Sequence, residues 1–278
     1  MKIFNCKVLA IMCCAMGLCL TSCGDDNDEP AAGSINPAPV PGGAVSVNPS
    51  DVFASGMPSK VGSMSVVCGS DGLVQSINDE DVTVTFSYPG VSRADSYDVV
   101  MNVNDGGETG ADIFSMLLNE AGFVRYCHQF KGDGTVDEWW FDYNASGQLV
   151  KMKRTEGDNE VTDIVYDGGN IVKVTMHSDD PDVGGAHLIG YGVAPINNKG
   201  CLMLFDETFG IDMDEMEYAY FAGLLGKATA NLPVSRLEDD GDSHTYEWTL
   251  NDAGMPVKLV STDTCDGYTE EQTLTFEW

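Results

Sequence analysis

Basic residues are scarce in this chain of 278 residues, which has 14 lysines and arginines against 44 aspartates and glutamates and a formal net charge of −30. Nucleic acids and anionic lipid surfaces carry the same sign of charge and would repel such a chain. We therefore expect no nucleic-acid partner. A strongly negative field favours solubility and attracts cations.

The chain also lacks the short motifs that mark common enzymes. It has no G-x-S-x-G, no H-E-x-x-H and no phosphate-binding glycine loop, and its four histidines are scattered. Pairs of acidic residues are abundant, but among 44 carboxylates such a pair has almost no specificity for glycosidase chemistry. We therefore predict no catalytic residues, no enzyme activity and no cofactor beyond a covalent lipid.

Paired cysteines are absent as well. Outside the N-terminal region the cysteines are Cys68, Cys127, Cys201 and Cys265, which are 59, 74 and 64 residues apart. No Cys-x-x-Cys or Cys/His spacing occurs, which argues against a zinc site. Two disulfides in any of three pairings are open, as are free thiols, which we favour because a domain of this size can bury a core without cross-links.

Clusters of hard oxygen donors are the best candidates for a metal site. Asp239, Asp240 and Asp242 lie in one acidic run, and a second run covers residues 178–182. Calcium accepts such ligands, although neither run has the spacing of an EF-hand loop. A calcium site at Asp239, Asp240 and Asp242 is one hypothesis, and solvated acidic loops are the other.

No apolar run reaches the length of about 20 residues that a membrane-spanning helix needs. The longest N-terminal run, Val8 to Leu20, follows Lys2 and Lys7 and ends in Leu20-Thr-Ser-Cys23. This order resembles the bacterial lipobox, in which the cysteine thiol receives a diacylglycerol and the chain is cut before it. The pattern predicts a signal peptide over residues 1–22 and a lipid on Cys23, and an ordinary secretory signal is the alternative.

An acidic patch follows the predicted lipidated cysteine. It consists of Asp25, Asp26, Asp28 and Glu29 and resembles the surface-export signal of Bacteroidota lipoproteins. The chain up to residue 60 is rich in Pro, Gly, Ser and Asn, which indicates a flexible spacer over 23–60. Part of it could instead pack on the domain through Val45, Val47, Val52 and Phe53. We predict a protein of the outer membrane, held by its lipid and facing the cell exterior.

A recurring motif, Asn-x-x-Gly, indicates hairpins in the rest of the chain. Asn119, Asn144 and Asn251 are each followed three residues later by glycine, at Gly122, Gly147 and Gly254. Asn can cap a turn and Gly can take a positive φ, so each phrase predicts a hairpin loop. A four-residue loop would pair Trp139 with Met152, Glu138 with Lys153, Trp248 with Val257 and Glu247 with Lys258. A three-residue loop with a bulge is the competing count, which we disfavour because it would mix the two faces.

Further strands are predicted at 62–68, 73–77, 81–87, 96–103, 161–166, 171–177, 187–193 and 200–205. The segment 213–225 predicts one short helix, with Asp212 as its cap and Met213, Met216, Tyr220 and Leu224 on a buried stripe. We expect this helix to plug one end or one face of the sheet. The fold class is therefore mainly β, an antiparallel meander of hairpins over 61–278 that forms a curved or barrel-like sheet.

The aromatic pair Trp139 and Trp140 permits two interpretations. Residues of this type are sheet-face or core residues by default, but exposed rings could stack on a carbohydrate. Trp139 and Trp140 are therefore candidate ligand-binding residues.

The Asn-x-x-Gly hairpins, the run FAGLLGKATANLP and the closing YEWTLNDAGMPVKL and LTFEW resemble an uncharacterised family of Bacteroidota lipoproteins, domain of unknown function 4595. The resemblance implies a porin-like β fold and no established activity. Together with the predicted anchor it favours a non-catalytic binding or accessory module for a glycan, a peptide or an apolar molecule. A structural or assembly protein of the envelope and a hydrolase without a recognisable motif are the alternatives.

Overall fold

The computed structural model describes residues 46–88, 97–107, 110–180, 184–265 and 267–278, which belong to one compact unit. The predicted lipidation site Cys23 and the acidic patch at Asp25, Asp26, Asp28 and Glu29 lie outside these residues. The described chain is mainly β-structure. Its strands are β1 (Lys60–Val61), β2 (Met64–Cys68), β3 (Val74–Asp79), β4 (Val82–Ser87), β5 (Val99–Asn104), β6 (Asp112–Leu118), β7 (Val124–Phe130), β8 (Val136–Tyr143), β9 (Leu149–Arg154), β10 (Val161–Asp167), β11 (Asn170–His177), β12 (Gly184–Gly190), β13 (Ile196–Asn197), β14 (Asn231–Leu232), β15 (Ser235–Glu238), β16 (Ser243–Leu250), β17 (Pro256–Cys265) and β18 (Tyr268–Glu277).

Sixteen of these strands form one closed antiparallel barrel, which confirms the predicted fold class. Neighbours in sequence are neighbours in the sheet, except that β12 pairs with β15 because β13 and β14 form a separate two-stranded ribbon. The barrel closes where β1 pairs with β18, with Lys60 opposite Glu277. Such closure leaves the sheet without a free edge.

The barrel wall is apolar towards its interior. Along β3, Val74 and Ile77 are fully buried, and along β8 the same is true of Trp139. Val74 and Ile77 are three residues apart because Gln75 is an extra residue in β3. In β5 the buried residues Val99, Met101 and Val103 alternate with outward-facing ones, as successive side chains of a strand do. The buried side chains form one hydrophobic cluster that joins the wall to the segment between β12 and β15.

The segment 191–234, which we name the plug, supplies the centre of this cluster. A single helical turn, α1 (Glu156–Asn159), lies outside it between β9 and β10, and the plug contains α2 (Phe205–Phe209), a 3-10 turn at Asp214–Met216 and α3 (Glu217–Phe221). From Leu202 to Leu225 its apolar side chains are almost completely buried. A helix plugging the sheet was therefore predicted correctly, and Met213, Met216, Tyr220 and Leu224 are all buried as expected.

Three details of the plug were predicted wrongly. Asp212 does not cap the helix, because Met216 is the residue that precedes α3. Residues 200–205 form no strand, because this apolar run packs inside the barrel instead of joining the wall. The helix is also shorter than 213–225, since α3 ends at Phe221 and Gly223 takes a φ of 78°. A Cβ at Gly223 would lie 2.8 Å from the Cα of Pro49, so the chain passes too close there for another residue type.

The three Asn-x-x-Gly phrases form the predicted hairpin turns. The glycines have φ angles of 85°, 81° and 79°, and each asparagine side chain accepts hydrogen bonds from the backbone N–H groups two and four residues later. The backbone N–H of Asn144 donates to the carbonyl of Gln148, which leaves three residues in the loop. The preferred four-residue loop was therefore wrong.

A second irregularity explains why the strand faces are nevertheless as predicted. Tyr143 pairs with Leu149 but Asp142 pairs with Lys151, so Val150 is an extra residue in β9. The three-residue loop shifts the pairing of β8 with β9 by one residue from the predicted register. The bulge at Val150 shifts it by one residue again, so that Trp139 and Phe141 still face the interior. Lys153 consequently lies opposite Trp140 rather than Glu138, and Lys258 lies opposite Thr249 rather than Glu247.

The residues before β1 pack against the barrel. Val52 and Phe53 are buried, and the ring of Phe53 lies 5.5 Å from that of Tyr220. The packed alternative to a flexible spacer therefore holds for these two residues. Cys68, Cys127, Cys201 and Cys265 form no disulfide bonds, as favoured from the sequence. Among the described residues, no helix has the length and apolar character needed to cross a membrane.

We expect Gly254→Val to destabilise the fold by about 1–3 kcal/mol, because it forces a β-branched residue into a positive φ. No steric clash adds to this, since the nearest side-chain atom to a Cβ there would be Lys199 Cδ at 3.6 Å. Thr249→Val, on the exposed outer face of the same hairpin, is the control and should change stability by less than about 0.5 kcal/mol. Urea unfolding measures both, and equal stabilities would contradict the backbone argument.

Candidate functional site

The two ends of the barrel differ in charge. Because neighbouring strands are antiparallel, the loops after β3, β5, β7, β9, β11 and β15 all lie at one end, which we name the acidic end. Its described loop residues include many carboxylates and, as a basic residue, Lys131. The acidic loop residues are Glu80, Asp81, Asp105, Asp133, Glu156, Glu160, Asp179, Asp180, Asp239, Asp240 and Asp242. The turns containing Gly122, Gly147 and Gly254 lie at the opposite end.

The opposite end is closed by the plug and by the residues that precede β1. The N–H of Val124 donates to the carbonyl of Leu224, and the N–H of Lys227 donates to the carbonyl of Gly147. Gly122 lies close to the carbonyl of Ser46. We name this the closed end.

The plug adds its own carboxylates to the interior of the acidic end. They include Asp206, Asp212, Asp214, Glu215 and Glu217, which we name the plug carboxylates. Burial, together with the charge of Asp212, raises the pKa of Asp206 to about 6 and that of Asp214 to about 7. Burial and then the charge of Asp206 raise the pKa of Glu217 to about 8. The fold therefore holds several carboxyl groups together against their mutual repulsion.

One buried arginine of the wall binds part of this group. Arg154, at the end of β9, contacts Asp212 at 2.8 Å and Asp214 at 2.7 Å, and its Nε donates to Glu160 at 2.7 Å. The guanidinium also lies 5.4 Å from the ring centre of Trp139. Arg154 therefore fixes the plug to the wall and offsets part of the negative charge.

A second polar network joins α2 to β15, β16 and β17. Arg236 Nη1 donates to the carbonyls of Asp206 and Glu207, and Arg236 Nη2 lies 3.1 Å from Glu238 Oε1. His244 lies between Asp263 Oδ1 at 2.6 Å and Glu238 Oε1 at 3.0 Å.

The charges of this network shift two pKa values in opposite directions. Burial opposes the charged form of both groups. The hydrogen bonds to Asp263 and Glu238 nevertheless raise the pKa of His244. The hydrogen bond to His244 and the charge of Arg236 lower the pKa of Glu238 to about 2. The network is therefore held together by alternating charges.

The predicted ligand-binding residues Trp139 and Trp140 lie on opposite sides of the wall. Trp139 is fully buried inside the barrel, and its Nε1 donates to Gln129 Oε1 at 2.9 Å. Trp140 is half-buried on the outer side, with Lys153 Nζ 5.4 Å from its ring centre. A single stacking platform made of both rings is therefore excluded, and a role of Trp140 alone stays a prediction.

The predicted calcium ligands Asp239, Asp240 and Asp242 lie together in the loop between β15 and β16. Asp239 Oδ2 accepts from the backbone N–H of Ala186, and Asp240 Oδ1 accepts from the N–H of Asp242. These contacts are typical of a structural turn. In the part of the chain that the structure describes, no three His, Cys, Asp or Glu side chains are arranged to hold a metal ion. Calcium binding at this loop stays a prediction.

Sequence reasoning did not find the plug carboxylates or their basic partners. The acidic run Asp212-Met-Asp-Glu-Met-Glu217 was visible, but only its possible helix cap was considered. Its partners Arg154 and Arg236 are far away in sequence. The sequence did contain one signal for this site, since the acidic run adjoins apolar residues that were predicted to be buried.

The closed antiparallel barrel with its internal plug defines a porin-like β-barrel protein. The chain belongs to the family described as a domain of unknown function (DUF4595) with porin-like fold, whose model matches residues 59–258. No curated protein matches the chain.

Two solved structures show the same fold. A porin-like protein from Bacteroides uniformis ATCC 8492 is 16% identical with a TM-score of 0.60, and the match covers 77% of this chain and 89% of that one. A porin-like protein from Bacteroides vulgatus ATCC 8482 is 13% identical with a TM-score of 0.51, covering 80% of this chain and 98% of that one. At these identities the likeness concerns the fold alone.

We expect Arg154→Met to lower the free energy of unfolding by about 2–3 kcal/mol, because it leaves partly buried carboxylates without their cation. Lys151→Met is the control, since it breaks only the exposed Lys151–Asp163 pair at 3.1 Å and should cost less than about 1 kcal/mol. Urea unfolding at neutral pH compares the two variants. A smaller loss in Arg154→Met than in the control would contradict the role of Arg154.

The plug carboxylates also predict how stability depends on pH. Because the folded state raises the pKa values of Asp206, Asp214 and Glu217, it retains protons that the unfolded chain has released, and stability should fall as pH rises from about 5 to about 8. Glu217→Gln should make this decline less steep, by at most about 1.4 kcal/mol per pH unit. Glu247→Gln, on the exposed outer wall, should leave the slope unchanged. Identical slopes in all three proteins would contradict the prediction.

Proposed function

We propose that this protein is a lipid-anchored, non-catalytic binding module of the outer membrane that captures a positively charged ligand, such as a basic peptide, at its acidic end. The observation that carries the proposal is the set of plug carboxylates. Groups with raised pKa values destabilise the folded protein at neutral pH, and such groups concentrate at functional sites. A bound cationic ligand would offset their repulsion.

The overall charge of the chain supports the same ligand class. A net charge of −30 creates a field that attracts cations over long distances. Asp212 and Asp214 keep 53% and 39% of their side-chain surface exposed, so a ligand can reach them. Arg154 binds both residues on their other side and orients them.

The distribution of polarity across the wall supports attachment through a lipid. The outward-facing side chains include the polar residues Thr83, Asn102, Lys173, Glu247 and Thr275 and a smaller number of exposed apolar residues such as Ile113 and Leu188, while most apolar side chains fill the interior. Barrels that span a membrane instead carry an apolar band on their outer face. The lipobox at Cys23 offers a different attachment, and the acidic patch behind it favours the outer face of the outer membrane. The porin-like fold of the Bacteroides neighbours is compatible with an envelope protein.

A peptide of alternating lysine and glycine tests the proposed ligand class, with a glutamate-glycine peptide and a neutral glucan as comparisons. We expect the wild type to bind only the lysine peptide. The double variant Asp212→Asn, Asp214→Asn should bind it at least about tenfold more weakly, as expected when hydrogen bonds between charged groups are lost. The control Glu247→Gln, Glu271→Gln removes the same charge from the exposed outer wall and should bind like the wild type. Equal binding by both double variants would contradict a site at the acidic end.

The anchor gives a separate prediction. Cys23→Ser should leave an unlipidated precursor, because the diacylglycerol then has no thiol acceptor. Fatty-acid labelling in a bacterial host measures this, and Ser22→Ala is the control that keeps a small residue before the cysteine. Labelling of the Cys23→Ser variant at the wild-type level would refute the anchor.

A hydrolase is the second candidate, because the protein has two features that also occur in catalytic sites. The carboxyl group of Glu217 retains a proton near neutral pH, as a general acid requires. His244 is oriented by Asp263 on another strand. Hydrolysis of a glycan by the wild type, and its loss in Glu217→Gln, would favour this candidate over a binding module.

A further inference from the structure

Asp79 has an unusual environment for a carboxylate. It is the last residue of β3, points into the barrel and is only 5% exposed. Its Oδ2 accepts a hydrogen bond from the hydroxyl of Tyr218 at 3.1 Å. Its Oδ1 is buried and has no hydrogen-bond partner among the described residues. A buried carboxylate oxygen without a donor is costly, and such an atom indicates a missing partner.

Glu217 is close enough to Asp79 for the charge of Asp79 to act on its carboxyl group. It is the first residue of α3, next in sequence to Tyr218. Its Oε1 accepts a hydrogen bond from the backbone N–H of Phe205 at 3.3 Å. The charged groups that act on it include Asp206, Glu207 and Asp79, which are all carboxylates.

The nearby basic side chains have other partners. Arg154 binds Asp212 and Asp214, and Lys131 binds Asp137 and Glu156. Arg236 contacts Glu238 and the carbonyls of α2. Within the described ranges, no ion pair includes Asp79 or Glu217. Glu217 and Tyr218 keep part of their surface exposed, whereas Asp79 Oδ1 is buried.

We propose that Asp79 and Glu217 form a subsite for a primary ammonium group, such as the end of a lysine side chain, with Asp79 Oδ1 and the Glu217 carboxylate as acceptors. An ammonium carries three donors and one positive charge, and so can bridge two carboxylates. It is also compact, whereas a guanidinium needs a wide planar site with paired acceptors. Tyr218 orients Asp79 so that its second oxygen stays available.

The subsite rests on the proposed function, because it specifies which part of a cationic ligand enters the barrel interior. The probe is cadaverine, 1,5-diaminopentane, with 1,5-pentanediol as its uncharged analogue, and NMR titration measures binding. We expect cadaverine to bind the wild type and the diol not to bind. Asp79→Asn and Glu217→Gln should each weaken cadaverine binding by about tenfold or more. Glu247→Gln on the outer wall is the matched control and should bind like the wild type.

Proton release provides a second measurement. Near neutral pH the Glu217 carboxyl group retains a proton, because its pKa is raised to about 8. Cadaverine binding should displace this proton, since the ammonium favours the ionised carboxylate. A pH indicator in weakly buffered solution should therefore report proton release from the wild type and from Glu247→Gln, and markedly less from Glu217→Gln, in which Asp206 and Asp214 still have raised pKa values. Should Asp79→Asn fail to fold, this comparison still decides the proposal.

Three results would overturn the subsite. Equal cadaverine binding by Asp79→Asn, Glu217→Gln and Glu247→Gln would show that only diffuse charge attracts the probe. Loss of binding in Asp212→Asn, Asp214→Asn but not in Asp79→Asn would place the ligand on the outer plug carboxylates, which retains the proposed function and refutes the subsite. Absence of cadaverine binding together with binding of the lysine peptide would have the same meaning, and absence of both would refute the proposed function too.

Discussion

A closed sheet of sixteen strands encloses more space than its own side chains can fill, and the rest of this structure depends on how that space is occupied. Barrels of about eight strands are filled by the side chains of the wall, whereas barrels of about sixteen contain a channel unless another segment enters. In this protein the plug enters between β12 and β15 and buries its apolar run from Leu202 to Leu225 against the wall. The inner face of the wall can therefore be apolar, since it meets protein instead of water.

The same plug also brings many carboxylates together at the acidic end. Its apolar residues are packed towards the closed end and the centre, and its carboxylates therefore collect where the interior meets the acidic loops. Arg154 and Arg236 bind the plug at two positions of the wall and offset part of this charge. Asp79 and Glu217 are left without such a cation in the described part of the chain. Filling the barrel and gathering negative charge are thus consequences of one inserted segment.

The sequence was sufficient for the hairpins and insufficient for their exact pairing. Asn144 and Gly147 determine a turn through their own side chain and φ, so local reasoning finds it. The extra residue Val150 depends on packing across the wall, so no local sequence pattern predicts it. Alternation still placed Trp139 in the interior. The hydrogen bond from Tyr218 to Asp79 joins residues that are 139 positions apart, so the candidate site could not be predicted without the closed barrel.

The position at which the chain enters the barrel determines which end can face a distant partner. Ser46 lies beside Gly122 at the closed end, and β1 begins there opposite the end of β18. A tether that reaches the domain through Ser46 therefore pulls on the closed end, and the acidic end lies at the far side of the barrel. For a domain held by its N-terminus, this polarity directs the carboxylates away from the anchoring surface and towards molecules that approach from outside.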